Sequence, residues 1–400
     1  MKTAGMIIEY NPMHCGHARL LSETRRLLGP DTAVICVMSG DFVQRGDFAL
    51  VRREARAAAA VRSGADLVLE LPLPWAAASA ERFADGGVQV LAASGGVGHL
   101  VFGSECGDGA ALERVAAALL SEQFPVYLKE ALAEGVSFAA ARQKAVARLL
   151  SWEDAALLER PNDILGVEYC KALLRQGSAL RPLAVRRVGA AHDQEALPGE
   201  LPSGSQIRNL LRAGERERAV ALMAPAMAEA YEAEESAGRG PVFWEACQRA
   251  VLARLRSMDE ADFASLDQGR EGLYRRLYRA SREACSLAEV LEAAKTKRYP
   301  YARLRRMVLW AYLGLTEFPE KVPYLRPLAA NGRGRALLAD MRRNAALPVL
   351  TKPADVRKLD GQAQGLFTLE ARAADLYALA YPDLEAAGGG SLWRSGPVVV

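Results

Sequence analysis

Two histidines near the start of the chain have a spacing that suits phosphate chemistry. His14 and His17 lie on either side of Gly16 in the segment EYNPMHCGHARLL, and all 400 residues include only four histidines. The apolar run AGMII precedes this segment, so we expect a loop between a buried strand and a helix that begins near His17. Unpaired N–H groups and the helix dipole favour phosphate at such a loop, and imidazoles can donate to it. The pattern favours a phosphate site; the alternatives are a chance pair of histidines or a metal pair.

The elements around this loop follow an alternating order. The predicted strands are AGMIIEY, AVICVM, ADLVLELP, HLVFGS and LRPLAVRRVGA, and alanine-, leucine- and arginine-rich helical stretches separate them. This βαβ order predicts an α/β fold with a parallel sheet covered on both faces, and it places the histidine loop at the carboxyl edge, where such folds bind ligands. From Glu215 onward strand patterns nearly vanish and apolar residues recur at helical spacing. The sequence predicts an α/β domain over 1–214 and a helical domain over 215–400.

Composition excludes several classes of protein. The net charge is +3, so any surface for nucleic acid must be local. The six cysteines are scattered singly without a CxxC pair, which argues against a structural zinc site and suits a reducing compartment. Neither a signal peptide nor a membrane span is predicted, so we expect a soluble, cytoplasmic protein.

Several segments together are similar to a known family. NPMHCGH fits the HxGH signature of the nucleotidyltransferase superfamily, and the whole chain resembles the bacterial tRNA(Met) cytidine acetate ligases in the ordered segments EYNPMHCGH, MSGDFVQRGDFALV, GADLVLELP, VFGSE, RPNDILGVEY, SGSQIR and KTKRYPYARLRR. This resemblance implies a Rossmann-like HxGH nucleotidyltransferase domain that binds ATP, followed by a mainly α-helical domain that binds tRNA. It also implies an enzyme that activates acetate as acetyl-adenylate and acetylates N4 of the wobble cytidine in the anticodon loop of elongator tRNA(Met). Mg²⁺ is expected with ATP.

The resemblance also implies functional residues. The catalytic residues would be His14, His17 and Arg208, with Arg208 on the β and γ phosphates. The ATP site would comprise Ile7, Ile8, Glu9, Tyr10, Asn11, Pro12, Met13, His14, Cys15, Gly16, His17, Ala18, Arg19, Leu20, Gly103, Asn162, Arg187, Ser203 and Ser205. Local structure offers alternative explanations: a turn for Gly103, and helix capping for Asn162 and the serines. The chain departs from the family at GAAHD, where Tyr-His often follows the glycine, so His192 is a weaker candidate.

A basic segment in the second half suits RNA. KTKRYPYARLRR contains six basic residues, two tyrosines and no acid. Cations neutralise phosphates and aromatic rings can stack on splayed bases, although a solvated helix face would have the same composition. The predicted tRNA-binding residues are Lys295, Lys297, Arg298, Arg303 and Arg306.

Two other functions remain open at the level of sequence. One is a nucleotidyltransferase that adenylylates a small-molecule coenzyme precursor, for which the basic helical half would be superfluous. The other is a non-enzymatic RNA-binding protein with a vestigial nucleotide fold, against which the intact HxGH and SGSQIR segments argue. No metal-ligating residue is assigned.

Overall fold

The central element is a mostly parallel sheet. The computed structural model describes residues 2–187, 202–266, 272–296 and 298–400. The strands are β1 (Thr3–Ile8), β2 (Ala33–Ser39), β3 (Phe42–Val43), β4 (Asp47–Phe48), β5 (Leu67–Leu71), β6 (His99–Ser104), β7 (Arg181–Arg186), β8 (Pro327–Ala330) and β9 (Val398–Val399). The main sheet has the order β7-β6-β1-β2-β5-β8-β9, and β3 and β4 form a separate antiparallel hairpin. Strands β7, β6, β1, β2 and β5 are mutually parallel. The predicted α/β class is therefore confirmed.

Helices cover the sheet and form the second half. In the first half they are α1 (Cys15–Leu28), α2 (Arg53–Arg62), α3 (Leu73–Ala76), α4 (Ala80–Ser94), α5 (Gly109–Leu120), α6 (Phe124–Ala133), α7 (Phe138–Leu149), α8 (Trp152–Ala155), α9 (Pro161–Arg175) and α10 (Gly204–Arg212). They continue as α11 (Arg216–Ala221), α12 (Pro225–Ser236), α13 (Gln248–Ser257), α14 (Glu260–Ser265), α15 (Leu273–Glu283), α16 (Leu287–Ala294), α17 (Tyr301–Leu313), α18 (Gly332–Asn344), α19 (Gly361–Ala378) and α20 (Ser391–Arg394). None of the helices in these ranges has the length and apolar character needed to cross a bilayer.

Alternate residues of the central strands pack on opposite faces of the sheet. Ile7 of β1 belongs to a core with α4, α5, α9 and α19, whereas Met6 and Ile8 belong to a core with α1, α2 and α12. Strands β1, β2 and β5 are buried along their whole length, which explains their continuous apolar sequence. A third core joins α13, α15, α16 and α17 to Phe42 and Phe48 of the β3–β4 hairpin.

Two strands of the second half belong to the main sheet, which the sequence pattern does not predict. Strand β8 pairs antiparallel with β5, and β9 pairs with β8. The sequence of β8 is PLAA, which has weak β propensity, and its proline is tolerated because it is the first residue of the strand. Strand β9 is only two residues long and follows a glycine-rich stretch. The division into domains at residue 214 stays a prediction, and the sheet extends across it.

Candidate active site

A cavity opens at the carboxyl edge of the sheet. Its volume is about 580 Å³, and its lining includes the ends of β1, β6 and β7 together with the first turns of α1 and α10. The chain proceeds from β1 to β2 and β5 on one side, whereas β6 lies on the other side of β1. The cavity is therefore at the topological switch point, where open α/β sheets bind ligands.

The two histidines form a reciprocal cap at the start of α1. His14 is the N-cap, and its Nδ1 accepts a hydrogen bond of 3.1 Å from the Gly16 N–H. The His17 Nδ1 in turn accepts from the His14 N–H at 3.3 Å. The rings stack with centroids 3.8 Å apart, and the Tyr10 ring lies 4.8 Å from that of His17. The first helical turn thus fixes both imidazoles at the cavity wall.

This cap determines the tautomer of both rings when they are neutral. Because each Nδ1 accepts from a backbone N–H, the ring proton must be on Nε2. The Nε2–H groups are then the donors that the pair can offer to a phosphate. The sequence also predicts a backbone contribution from the helix N-terminus, but here the Gly16 N–H is directed to His14 and the His17 N–H donates to the His14 carbonyl at 2.9 Å.

Residues from beyond position 214 hold this loop in place. His14 forms an isolated antiparallel bridge with Met223, and the Ala224 N–H donates to the Met13 carbonyl at 3.0 Å. Arg56 of α2 also donates to the carbonyls of Glu9 and Ser39. The loop is therefore anchored to α2 and to the segment before α12.

Arg208 lies at one end of the cavity. Its Nη1 donates to Asn11 Oδ1 at 3.2 Å, and its Nη2 donates to Asp47 Oδ2 at 3.1 Å. Ser203 caps α10 by accepting from the Gln206 N–H at 3.1 Å, so capping explains this serine. A Cβ at Gly204 would lie 3.1 Å from the Asn11 carbonyl oxygen, so a side chain there would push the two loops apart by a few tenths of an ångström. The SGSQIR turn thus packs directly against the loop of His14.

Arg187 and Asn162 also line the cavity, and Glu105 lies behind Asn162. The Arg187 Nη1 donates to Asn162 Oδ1 at 3.3 Å, and Glu105 accepts from the Asp163 N–H at 2.8 Å. Asn162 is inside the first turn of α9 and is not its N-cap, because the helix begins at Pro161. A Cβ on Gly103 would come within 3.1 Å of the Arg187 side chain, so the glycine lets that arginine lie across β6. Burial lowers the pKa of Arg187, and Glu105 opposes this.

Most of the predicted ATP-site residues line the cavity. These are Ile7, Ile8, Glu9, Tyr10, Asn11, Pro12, His14, Gly16, His17, Arg19, Leu20, Gly103, Asn162, Arg187, Ser203 and Ser205, and the predicted catalytic residue Arg208 lines it too. Three others do not: Met13 is buried in the core, Cys15 is exposed and Ala18 packs against the core that contains α1. Burial raises the pKa of Glu9, which the Gln44 N–H counteracts through a hydrogen bond of 2.6 Å.

Sequence reasoning missed the residues that the β3–β4 hairpin and α17 bring to the cavity. Gln44, Arg45 and Asp47 line it from the hairpin, and Arg305 reaches it from α17. The segment MSGDFVQRGDFALV is among those that resemble the family, but no residue in it has a spacing that indicates chemistry. Only the folded chain brings Asp47 next to Arg208.

The predicted tRNA-binding residues differ in exposure. Lys295 and Arg298 are exposed and Arg303 is half-buried. Arg306 is 9% exposed and lies against the hairpin, so little of its side chain is accessible to tRNA phosphates, and burial lowers its pKa to about 10. Tyr299 is also buried, which excludes base stacking on its ring. Lys297 and His192 lie outside the described residues.

The described residues contain no cluster of three or more histidine, cysteine or acidic side chains that could hold a metal ion. The acidic residues that line the cavity are Glu9, Glu23 and Asp47. Of these, Glu9 accepts from Gln44 and Asp47 is surrounded by arginines. The cavity is thus dominated by hydrogen-bond donors, which suits an anionic ligand.

Comparisons with known proteins agree with this arrangement. The sequence model of the HIGH Nucleotidyl Transferase family matches residues 1–390. The tRNA(Met) cytidine acetate ligase of Acetivibrio thermocellus is 36% identical over 397 residues, which is 95% of each chain. The ligase of the same name from Fervidobacterium nodosum is 38% identical over 360 residues, covering 88% of this chain and 84% of the relative.

Solved structures give the same result. The apo crystal structure of Thermotoga maritima TmcAL matches with a TM-score of 0.95 and 35% identity over the whole of both chains. The structure of that protein bound with alpha-thio ATP matches with a TM-score of 0.93 and 35% identity, covering 100% of this chain and 99% of the other. The chain therefore belongs to the HIGH nucleotidyltransferase family and, within it, to the tRNA(Met) cytidine acetate ligases.

Proposed function

We propose that this protein is an ATP-dependent tRNA(Met) cytidine acetate ligase. It activates acetate as acetyl-adenylate and transfers the acetyl group to N4 of the wobble cytidine in elongator tRNA(Met). The observation that carries the proposal is the position of the His14–His17 pair and Arg208 on one cavity of about 580 Å³, a size suited to a nucleotide. Cytoplasmic location follows from the tRNA substrate.

The first step forms the adenylate. A carboxylate oxygen of acetate attacks the α-phosphorus of ATP in line, and the bond to the bridging oxygen breaks so that pyrophosphate leaves. The Nε2–H groups of His14 and His17 donate to the α-phosphate oxygens, whose charge grows in the pentacoordinate transition state. Arg208 binds the departing pyrophosphate through the N–H groups that do not bond Asn11 and Asp47.

The nucleoside end of ATP is assigned to the opposite side of the cavity. Gly103, Asn162 and Arg187 form that side. The Glu105 carboxylate already occupies the N-terminus of α9, where it accepts from two backbone N–H groups. A second anion at this helix end would meet like-charge repulsion, so the phosphates belong with the histidines and Arg208.

The second step acylates the RNA. The N4 amine of cytidine attacks the acetyl carbonyl, the bond from that carbon to the phosphate oxygen breaks, and AMP leaves as the amine loses a proton. Acyl-adenylates hydrolyse in water, so the cavity must shield the intermediate until tRNA arrives. N4 is a pairing group that A-form RNA hides, so the target cytidine must be unpaired, as it is in an anticodon loop.

Mg²⁺ is expected to enter with the triphosphate, to which it supplies charge neutralisation. The cavity offers it no ready set of protein ligands among the described residues, because Glu9 and Asp47 are engaged with hydrogen-bond donors and cations. No step of the mechanism is assigned to the ion.

The decisive experiment supplies labelled acetate, ATP and unmodified elongator tRNA(Met), followed by nucleoside analysis. We expect N4-acetylcytidine to form. A second arm anneals a complementary DNA oligonucleotide across the anticodon loop, which should abolish transfer and leave acetyl-adenylate synthesis intact. Continued transfer to the masked loop would refute the substrate assignment. AMP transfer to a coenzyme precursor, or RNA binding without ATP binding in calorimetry, would instead support one of the two alternatives.

A further inference from the structure

Asp47 is a buried carboxylate among three arginines. Its Oδ2 lies 3.1 Å from Arg208 Nη2, 3.5 Å from Arg305 Nη1 and 3.9 Å from Arg212 Nη2. The side chain of Asp47 is 10% exposed, whereas those of Arg212 and Arg305 are about one-third exposed, at 32% and 33%. All four residues line the cavity. A single carboxylate is therefore shared by the arginine cluster of Arg208, Arg212 and Arg305.

Aromatic rings fix the arginines on their other side. The guanidinium carbon of Arg212 is 4.3 Å from the centroid of the Phe243 ring, and that of Arg208 is 5.1 Å from the same ring. Arg305 lies 5.1 Å from the centroid of the Trp244 ring. These contacts keep three like charges close together despite their repulsion.

The hairpin that carries Asp47 is pressed against α17. A Cβ on Gly46, whose φ is +75°, would lie 2.4 Å from the Arg306 backbone nitrogen. This approach tolerates no side chain. The position of Asp47 relative to Arg305 is therefore set by backbone packing and not by the ion pair alone.

The arginine cluster and its acidic partners carry a net positive charge. The three arginines are opposed by Asp47 and by Glu245, which lies 3.4 Å from Arg212 Nε and has a 50% exposed side chain. Burial lowers the pKa of Arg212, and Arg208 lowers it further through like-charge repulsion. The remaining positive charge attracts an anion, and the negative charge of Asp47 reduces that attraction.

We infer that Asp47 is a positioning residue on the side of the cavity that binds the phosphates. It orients Arg208 toward the phosphates, and it lowers the affinity of the three arginines for pyrophosphate so that pyrophosphate can dissociate. The inference rests on the proposed function. Arg208 would need Asp47 for direction, because Asn11 and Asp47 are the acceptors that its guanidinium has among the described residues. The negative charge of Asp47 would at the same time offset part of the attraction between the three arginines and the phosphate oxygens.

The test is Asp47→Asn, which removes the charge and keeps the size. We expect kcat for acetate-dependent adenylate formation to fall at least about tenfold, because a misplaced catalytic group loses transition-state binding. KM for ATP should not rise, and the inhibition constant of pyrophosphate should fall at least about threefold, since one negative charge is lost within several ångströms of the anion. A purely structural role would raise KM and leave the pyrophosphate constant unchanged, and that result would overturn the inference.

A second variant keeps the inference testable if Asp47→Asn does not fold. Arg305→Met removes one cation and should raise the pyrophosphate inhibition constant at least about threefold, the opposite direction. Asp154→Asn is the matched control, because it makes the same substitution at another aspartate that pairs with an arginine. Asp154 of α8 lies 3.0 Å from Arg114 of α5 and does not line the cavity. If the unmodified protein makes no acetyl-adenylate, the proposed function fails; if it does and both variants leave the pyrophosphate constant unchanged, only this inference fails.

Discussion

Replacement of His17 by asparagine separates its two roles. The Nδ1 of His17 accepts from the His14 N–H at 3.3 Å and completes the cap of α1, whereas Nε2 is the proposed donor to the α-phosphate. Asparagine places an oxygen where Nδ1 was and has no atom at the position of Nε2. His17→Asn should therefore preserve the helix start and remove only the donor. Glutamine does the reverse, since its amide nitrogen reaches the position of Nε2.

The two roles differ in magnitude. Loss of one preorganised donor to a developing oxyanion costs about 10² to 10³ in kcat. Loss of the cap hydrogen bond costs about 1 kcal/mol of folding free energy, and less at a length of 3.3 Å. We therefore expect His17→Asn to lower acetyl-adenylate formation about 100-fold or more at nearly unchanged Tm. His17→Gln should keep more activity than His17→Asn and lose stability.

The assay is acetate-dependent pyrophosphate release from ATP without tRNA, with thermal unfolding measured in parallel. His99→Asn is the matched control, because His99 begins β6 at the edge of the sheet opposite the cavity. It should leave the rate of adenylate formation unchanged. A normal rate for His17→Asn, or equal losses in the asparagine and glutamine variants, would refute the assignment of Nε2 as the donor.

Two further predictions concern tRNA binding and acid stability. Replacing Lys295 and Arg298 by glutamine should weaken tRNA binding and reduce its salt slope by up to about 2, because each phosphate contact releases counterions, while acetate activation without tRNA persists; loss of both activities would mean that these residues support the fold. Burial alone would raise the pKa of Glu234, but Arg52 and Arg239 lower it to about 2 from an ordinary 4.5. The ionised Glu234 therefore contributes about 3 kcal/mol to the free energy of unfolding. This contribution is present above pH 4.5 and is lost as the pH falls toward 2. Glu234→Gln should flatten the pH dependence of unfolding in that window, and an unchanged acid profile would contradict this.

Local patterns were sufficient to predict the framework of the fold. The strands AGMII and AVICVM are continuous apolar runs because both faces of the sheet are covered, and the structure has them as β1 and β2. The loop of His14 lies at the carboxyl edge because parallel strands end there. These properties depend on residues that are close in sequence, so a single sequence contains them.

The remainder of the site depends on contacts between distant residues. Asp47 and Arg208 are 161 positions apart, and Asp47 and Arg305 are 258 apart. Nothing in the local sequence of Asp47 distinguishes it from the many other acidic side chains. Burial of Arg306 has the same origin: it belongs to a basic segment that is typical of a solvated surface, yet the hairpin covers it.

Buried charges explain why the sheet needs the second half. Glu70 of β5 accepts from Arg53 at 2.8 Å and also pairs with Arg326, which precedes β8 and lies 3.4 Å from Glu370 of α19. Removing one partner from such a network leaves an uncompensated buried charge, which costs far more than the intact pair contributes. The network therefore acts mainly as a constraint on register, since the observed docking of β8 places Arg326 between Glu70 and Glu370. Strand β5 is therefore an interior strand of the main sheet because β8, from beyond position 214, pairs with it.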